Sequence, residues 1–156
     1  EISMNVKNIQ KGLIDGIKLF KINNYSNDTG SLSVLISQGR EDAPDASKIG
    51  EVYMVSVPSE NTTRGSHRHD FSDEFFIIIN GLAEFYLFDD REKSKTRGKK
   101  ERYILDSNKM SALFVPRGIY HAFVTLEPDT NCLAISTEPF DKNKPDTHQI
   151  SFSNFL

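Results

Sequence analysis

Residues 65–81 read Gly-Ser-His-Arg-His-Asp-Phe-Ser-Asp-Glu-Phe-Phe-Ile-Ile-Ile-Asn-Gly and contain two histidines, a glutamate and a closing glycine. Side chains two apart on a β-strand point to the same face, so His67 and His69 share one side. Glu74 follows five residues after His69, which is the wrong parity for one continuous strand. The polar residues 70–73 must therefore bend the chain so that Glu74 rejoins the histidines from a second strand.

A third histidine follows a turn further along the chain. Residues 116–121 read Pro-Arg-Gly-Ile-Tyr-His, a turn that leads directly into a strand. A lone histidine more often satisfies a core hydrogen bond, but three histidines and a glutamate at linked spacings favour a metal site. This mixed nitrogen and oxygen donor set suits Zn, Fe, Mn, Ni or Cu. We predict a divalent metal bound by His67, His69, Glu74 and His121. The fourth histidine, His148, lies in a polar tail and is predicted to be a surface residue.

Short strand-like segments dominate the rest of the chain, and no stretch shows a long helical period. They are rich in Val, Ile, Phe, Tyr and Leu and are separated by turn signals; they span 18–23, 32–36, 52–57, 74–79, 83–88, 102–105, 112–115, 122–126 and 133–136. The clearest turn signal, Asn80-Gly81, predicts a type I′ hairpin, which needs φ > 0 at both central residues. Many short strands at regular spacing predict an all-β sandwich or barrel.

Length and composition limit the classes of function. The 156 residues fit one domain spanning 1–156, and 37% hydrophobic with 26% charged residues is typical of a globular protein. No apolar run approaches the roughly 20 residues that span a bilayer, so no membrane partner is expected. A net charge of −3 argues against nucleic acid as a partner. Residues 1–10 show no secretory signal, and the single cysteine, Cys132, favours a reducing cytoplasm.

The two histidine motifs resemble those of the cupin superfamily. The first cupin motif reads roughly G-x5-H-x-H-x3-4-E-x6-G, and its later positions are matched by His67, His69, Glu74 and Gly81. The second, G-x5-P-x-G-x2-H-x3-N, is matched by Pro116, Gly118 and His121. The departures fall on positions that do not bind metal, namely Asn61, Met110 and Thr125. The resemblance implies a cupin barrel, the jelly roll or double-stranded β-helix.

Five further segments occur in the order found in the dTDP-4-dehydrorhamnose 3,5-epimerase family and related cupins of polysaccharide biosynthesis. They resemble D-x-R-G-x-L, R-G-x-H, D-x-R-x-x-S-x-T, P-x-G-x-x-H-G-F and a tail Y/F-x-P-x-x-P-D, and they span 27–32, 64–67, 89–96, 116–123 and 140–147. The resemblance implies epimerisation or ketoisomerisation of a dTDP- or UDP-linked 4-keto-6-deoxy sugar. A proton leaves the carbon next to the ketone and returns.

The same resemblance implies roles for individual residues. His67 takes the position of the family's general base, and His121 lines the pocket. Arg64 would bind the nucleotide diphosphate, and Arg91 falls at the family's second arginine. The basic segment 91–102 is either a solvated hairpin loop or a rim that attracts a phosphorylated ligand.

Three substitutions separate this chain from the metal-free epimerases. The tyrosine that serves as the family's acid falls at Ala134, a pocket lysine at Glu74, and a glutamine at His69. The last two substitutions favour a metal, and a histidine that binds a metal has no free lone pair for a proton. His67 is therefore either a ligand or the base. Another tyrosine must supply the acid, and the candidates are Tyr53, Tyr86, Tyr103 and Tyr120; we assign Tyr86 to catalysis and Tyr120 to substrate binding.

Three functions stay open on sequence alone. The first is a nucleotide-sugar isomerase that works with or without a metal. The second is a metal-dependent cupin oxygenase or hydrolase acting on a small molecule. The third is a sugar-binding cupin without activity, since loss of the family's acid would leave binding without turnover. A homodimer paired through N-terminal strands within residues 18–36 is also expected.

Overall fold

The computed structural model describes residues 9–156 as two antiparallel sheets that enclose a core, with one separate hairpin. The prediction about a secretory signal rests on residues 1–10 and so falls almost entirely outside that range. One short 3-10 helix, η1 (Phe152–Phe155), is the only helical element among the described residues. No helix in this part of the chain is long and apolar enough to cross a membrane. The all-β prediction is confirmed.

Thirteen strands follow one another along residues 9–156. They are β1 (Ile9–Lys11), β2 (Lys18–Lys21), β3 (Asn24–Asn27), β4 (Gly30–Ser33), β5 (Glu51–Val57), β6 (Thr63–His69), β7 (Glu74–Asn80), β8 (Leu82–Asp89), β9 (Lys100–Asp106), β10 (Ser111–Val115), β11 (Ile119–Thr125), β12 (Thr130–Ser136) and β13 (Thr147–Gln149). The six-stranded sheet has the order β1-β2-β10-β7-β12-β5, and the five-stranded sheet has the order β13-β6-β11-β8-β9. Strands β3 and β4 pair only with each other.

Strand β7 contains the run Phe75–Ile79, in which apolar residues follow one another instead of alternating with polar ones. Phe76 and Ile78 belong to the cluster between the two sheets, which also holds Phe85 of β8. Phe75 and Ile77 belong to a second cluster on the other face of the six-stranded sheet. A strand covered on both faces has no reason to alternate apolar and polar residues.

The predicted hairpin at Asn80-Gly81 is wrong. Strand β7 lies in the six-stranded sheet and β8 in the five-stranded sheet, so the dipeptide carries the chain from one sheet to the other. Only Gly81 has a positive φ, at 88°, and a Cβ there would collide with Thr130. The glycine is needed for this close approach, whereas the local pattern resembles that of a hairpin turn.

The strand that carries two of the histidines, β6, is absent from the segments predicted by apolar content. Its residues Thr63–His69 include no aliphatic side chain. It forms because its backbone pairs with β11 on one side and with β13 on the other. Pairing partners that are distant in sequence leave no local signal.

Candidate active site

Three strands from the two sheets bring the histidines and the glutamate together. His67 and His69 come from β6, His121 from β11 and Glu74 from β7. The ring centre of His67 lies 4.9 Å from that of His69 and 4.9 Å from that of His121. One nitrogen from each ring lies within 4.8 Å of the other two. The predicted bend at residues 70–73 is confirmed, because it carries the chain across to Glu74 in the other sheet.

Glu74 is buried, with 2% of its side chain exposed, and its two oxygens differ. Oε2 accepts a hydrogen bond of 2.5 Å from the hydroxyl of Tyr53. Oε1 lies 3.0 Å from Nε2 of His69 and 3.5 Å from Nε2 of His121. Although both nitrogens lie within ion-pair distance, no hydrogen bond of acceptable geometry reaches Oε1 from the described residues. A buried oxygen without a donor is costly and calls for an explanation such as an ion.

Two of the three imidazoles are held from behind by acceptor oxygens. Nδ1 of His121 lies 3.1 Å from the carbonyl oxygen of Ile119. Nδ1 of His69 lies 3.1 Å from Oδ1 of Asp146. Both acceptors place a proton on Nδ1, so Nε2 of each ring faces inward towards Glu74. This back-bonding is the usual support of histidines that bind metals.

The donor set fits a divalent metal on these observations. The three imidazoles form one tight group, and the unpaired oxygen of Glu74 faces two of them. A set of three nitrogens and one carboxylate oxygen is suited to Zn, Fe, Mn or Ni. The residues that would hold the ion are His67, His69, His121 and Glu74.

The surroundings shift the pKa values of two neighbouring histidines in opposite directions. Burial, with the nearby His121 and His69 rings, lowers the pKa of His67 to about 4. Burial also opposes protonation of His69, but Glu74 and Asp146 outweigh it and raise the pKa of His69 to about 8. In the metal-free protein at pH 7, His67 is therefore neutral and His69 is cationic.

The carboxyl and the phenol in the site also titrate away from their ordinary values. Burial opposes ionisation of Glu74, but the imidazoles of His121 and His69 outweigh it and hold its pKa well below the usual range. Burial and then the charge of Glu74 raise the pKa of Tyr53. Tyr53 therefore keeps its proton at neutral pH.

A cavity of about 610 Å³ opens beside the site. His69, Glu74 and Tyr53 form part of its wall. Much of the remaining wall comes from the segment 138–147, which precedes β13, and Arg117 and Lys144 supply cations. The imidazole, the carboxylate and the phenol of those first three residues thus face a space large enough for a small molecule, whereas His67 and His121, the latter expected to line the pocket, are not among the residues that line this cavity.

Arg64 reaches the same side as His67 through a β-bulge. The two residues are three positions apart in the sequence, so a regular strand would place them on opposite faces. The register pairs His121 with His67 and Phe123 with Arg64, which leaves an extra residue at Ser66. Gly65 and Ser66 have φ of 90° and 62°, and this bulge restores the shared face. Arg64 is exposed and makes no hydrogen bond or ion pair with the residues that the structure describes.

The structure does not bring two of the predicted tyrosines to the cavity. Tyr86 alternates with the buried Phe85 and Leu87 on β8 and packs on the ring of Phe152 outside the barrel. Tyr120 neighbours inward-facing His121 and stacks on Phe88 on that same outer surface. The structure therefore does not bring Tyr86, predicted as a catalytic residue, or Tyr120, predicted as a substrate-binding residue, together with the histidines and Glu74. Side chains alternate along a strand, and both fall on the outer face.

Tyr53 is one of the four candidate tyrosines, and the structure places its hydroxyl at the site. It lies on β5, opposite Ala134 in the register with β12, and its hydroxyl reaches Glu74. The remaining candidate, Tyr103, donates instead to Glu101, at 3.0 Å. No local signal distinguishes Tyr53, because its contact depends on the pairing of β5 with β12.

Arg91 is occupied by a structural role, and its prediction as a substrate-binding residue is not supported. Its Nε donates to Oδ1 of Asp89 at 2.9 Å, and its guanidinium also donates to the carbonyl of Asp15 at 2.7 Å. The basic segment 91–102 includes the loop of the β8–β9 hairpin, and none of its residues lines the 610 Å³ cavity. The solvated-loop interpretation therefore describes it better than a cavity rim. His148, as predicted, is a surface residue.

Residues 15–154 match the protein family described as FdtA: WxcM-like, C-terminal. The spore coat polysaccharide biosynthesis protein SpsL of Bacillus subtilis (strain 168) is 26% identical over 144 residues, covering 91% of this chain and 92% of that protein. The probable low-salt glycan biosynthesis epimerase Agl13 of Haloferax volcanii is 23% identical over 104 residues, covering 65% of this chain and 67% of that protein.

The fold is also that of solved nucleotide-sugar epimerases. A dTDP-4-dehydrorhamnose 3,5-epimerase from Bacillus anthracis str. Ames, with TDP and PPi bound, superposes with a TM-score of 0.79. The two chains are 18% identical, and the alignment covers 92% of this chain and 83% of that one. The predicted cupin jelly roll is confirmed.

Proposed function

The chain belongs to the FdtA, WxcM-like C-terminal family, and from this membership and the site we propose that it is a nucleotide-sugar isomerase. It epimerises or ketoisomerises a dTDP- or UDP-linked 4-keto-6-deoxy sugar by moving a proton next to the ketone. The relatives named for polysaccharide and glycan biosynthesis support this class of reaction. The observation that carries the proposal is the meeting of three imidazoles, a buried carboxylate and a phenol, of which His69, Glu74 and Tyr53 line one cavity.

Such a reaction has three requirements. A base must take a proton from the carbon next to the ketone, positive charge must face the oxygen that becomes an enolate, and an acid must return the proton. The metal-free epimerases that this chain resembles place a lysine where this chain has Glu74, so the positive charge must come from elsewhere. The three histidines can provide this positive charge, either by binding a metal ion or through a protonated ring.

We propose that His67, His69, His121 and Glu74 hold a divalent metal. Held by these residues, such an ion would supply a Lewis acid for the ketone oxygen of the sugar. Oε1 of Glu74 supports this assignment, because it is buried beside two imidazole nitrogens and accepts no hydrogen bond of good geometry. The back-bonded Nδ1 atoms of His69 and His121 support it as well, since they turn Nε2 inward.

Tyr53 is the proposed acid. Its raised pKa keeps the hydroxyl protonated, and Glu74 fixes its direction. Ala134, where the epimerase family places its tyrosine, lies directly across from Tyr53 on the neighbouring strand. The phenol is thus supplied from β5 instead of β12, close to the position that the family uses.

A metal-free variant of the same reaction is favoured by the opposed pKa values. His67 is neutral at pH 7 and accepts no described hydrogen bond, so its lone pair is free to take the proton. The cationic His69 then supplies the positive charge beside the enolate. Two neighbouring groups whose environments separate their pKa values are typical of an acid and base pair.

Arg64 is the proposed anchor for the nucleotide diphosphate. It shares a face with His67 through the bulge, is exposed and carries a charge that no described residue neutralises. A guanidinium binds phosphate oxygens in pairs, which suits a diphosphate. Arg91 is excluded from this role because Asp89 already pairs it.

We also propose a cytoplasmic homodimer. The hairpin of β3 and β4 is almost wholly exposed, and β5 is an edge strand whose Val52 and Met54 are 54% and 50% exposed. Long apolar edge strands are normally covered. Light scattering with size-exclusion chromatography should give twice the mass of the chain; a monomer at micromolar concentration would refute the dimer.

Isotope exchange tests the reaction. Incubated in D2O with dTDP-4-keto-6-deoxyglucose, the protein should incorporate deuterium at C3 or C5 of the sugar. The His67→Ala variant should show none under either mechanism, and His148→Ala, outside the site, should match the wild type. Absence of exchange in the wild type would reject isomerisation of this substrate and favour a binding cupin or another metal-dependent reaction.

Metal analysis separates the two mechanisms. Protein purified without chelator or histidine tag should contain about one divalent metal per chain by mass spectrometry, and chelation should abolish exchange. Protein that is free of metal and still catalyses exchange would instead establish His67 as the base.

A further inference from the structure

Asp146 lies in the tail that precedes β13, and both of its carboxylate oxygens make contacts next to the site. Oδ1 lies 3.1 Å from Nδ1 of His69, and Oδ2 accepts the backbone N–H of Phe71 at 3.2 Å. Its carbonyl oxygen accepts the N–H of Asp70, also at 3.2 Å. The side chain is 18% exposed, so the bond to His69 is only partly screened by solvent.

The tail is also fixed by contacts that do not involve the ring of His69. Strand β13 pairs with β6, and Ile150 N–H donates to the carbonyl of Ser66 at 2.9 Å. Nε2 of His148 lies 2.5 Å from Oδ2 of Asp70, and Nζ of Lys144 lies 4.6 Å from the centre of the Phe71 ring. The position of the Asp146 carboxylate therefore does not depend on its contact with the ring of His69 alone.

We infer that Asp146 is a positioning residue that holds a proton on Nδ1 of His69 and fixes the orientation of that ring in the site. A carboxylate only accepts hydrogen bonds, so it requires the proton on Nδ1 and leaves Nε2 directed at Glu74, 3.0 Å away. Ile119 does the same for His121 through its carbonyl oxygen, while His67 has no such support among the described residues. The tail thus supplies the carboxylate that supports a proposed metal ligand from behind, and the inference rests on the proposed metal site only for its effect on metal binding.

Three variants separate this role from simple attachment of the tail. Asp146→Ala removes the acceptor, and Asp146→Asn keeps an acceptor oxygen but removes the charge. His148→Ala is the matched control, since it weakens the same strand through Asp70 without touching the ring of His69. Circular dichroism and urea unfolding verify that each variant is folded.

The first measurement follows the Nδ1 proton of His69 in chelator-treated, nitrogen-15-labelled protein by nuclear magnetic resonance. We expect a slowly exchanging Nδ1 proton in the wild type and in His148→Ala, and its loss in Asp146→Ala. An Nδ1 signal that survives Asp146→Ala, or that is absent from the wild type, would overturn the inference. This result does not depend on a metal.

The second measurement is calorimetric titration with Zn²⁺. Loss of a carboxylate that supports a metal-binding histidine weakens metal affinity by about 10- to 100-fold. We therefore expect the Zn²⁺ affinity of Asp146→Ala to fall by that factor and the affinity of Asp146→Asn to fall by less. The Zn²⁺ affinity of His148→Ala should equal that of the wild type. Equal affinity of Asp146→Ala and wild type would contradict the inference. If the wild type binds no Zn²⁺ while the Nδ1 proton behaves as expected, the metal proposal fails and Asp146 remains the positioning residue.

Discussion

Two carboxylates in this barrel are almost wholly withdrawn from solvent and are treated in opposite ways. Oδ1 of Asp89 accepts from the backbone N–H and the Nε of Arg91 at 3.1 and 2.9 Å. Oδ2 accepts from the hydroxyls of Ser94 and Thr96 at 2.6 and 2.7 Å. Glu74, in contrast, has one oxygen bonded to a single hydroxyl and one oxygen with no donor.

The difference shows what each carboxylate is for. Asp89 is 0% exposed and saturated, so it fixes the β8–β9 loop and leaves nothing for a ligand. Glu74 is the buried side chain whose oxygen lacks a hydrogen-bond partner within residues 9–156. A saturated buried charge stabilises a fold, whereas an unsatisfied one is typical of a site.

The largest effect should follow from breaking the saturated network. Asp89→Ala removes the partner of Arg91 and the acceptor of two hydroxyls, so the free energy of unfolding should fall by about 3–5 kcal/mol. Urea unfolding of the chelated protein measures this. The metal content of the folded fraction should not change, and a change there would mean that the two regions are coupled.

Glu74→Gln should have the reverse profile. Metal affinity should fall by more than about 100-fold, or about 2.7 kcal/mol, because an oxygen with a full charge is lost from the site. The free energy of unfolding of the metal-free protein should fall less than in Asp89→Ala, because the substitution removes the carboxylate charge that faces His69 but leaves no saturated hydrogen-bond network broken. Calorimetry and urea unfolding supply the two numbers, and a large loss of stability would assign Glu74 a structural role.

Tyr53→Phe removes the one hydroxyl that touches Glu74. Deuterium incorporation should slow by about 100-fold, at the low end of what a positioned acid contributes. Tyr86→Phe is the matched control on the outer face and should react at the wild-type rate. Equal rates for the two variants would remove Tyr53 from the mechanism.

Acid should reveal Asp89 with a smaller effect. Burial opposes its ionisation, but Arg91, Ser94 and Thr96 hold the pKa of Asp89 well below the usual range. Because the folded pKa is the lower one, the stabilisation is present above the unfolded pKa of about 4 and is lost as the pH falls below it. Wild type should lose about 2 kcal/mol more than Asp89→Asn between about pH 5 and pH 2, measured by urea unfolding. Parallel curves would contradict this assignment.

The meeting of the three histidines and Glu74 could be predicted from local spacing because each motif is short. His67 and His69 share a face by strand alternation, and the polar residues 70–73 can only bend the chain. Alternation alone does not show which face of β8 or β11 lies inside the barrel. It therefore could not place Tyr86 and Tyr120 on the outer face. The dipeptide Asn80-Gly81 misled for a related reason, since its local sequence does not reveal which sheet receives the next strand.

The sequence by itself determined an all-β chain and the identity of four groups that carry chemistry, because alternation and turn signals act over a few residues. Only the tertiary structure decided which groups surround them. Tyr53 reaches Glu74 across 21 residues, and Asp146 reaches His69 across 77. Such contacts depend on strand register and sheet order, which long-range packing sets and local patterns do not encode.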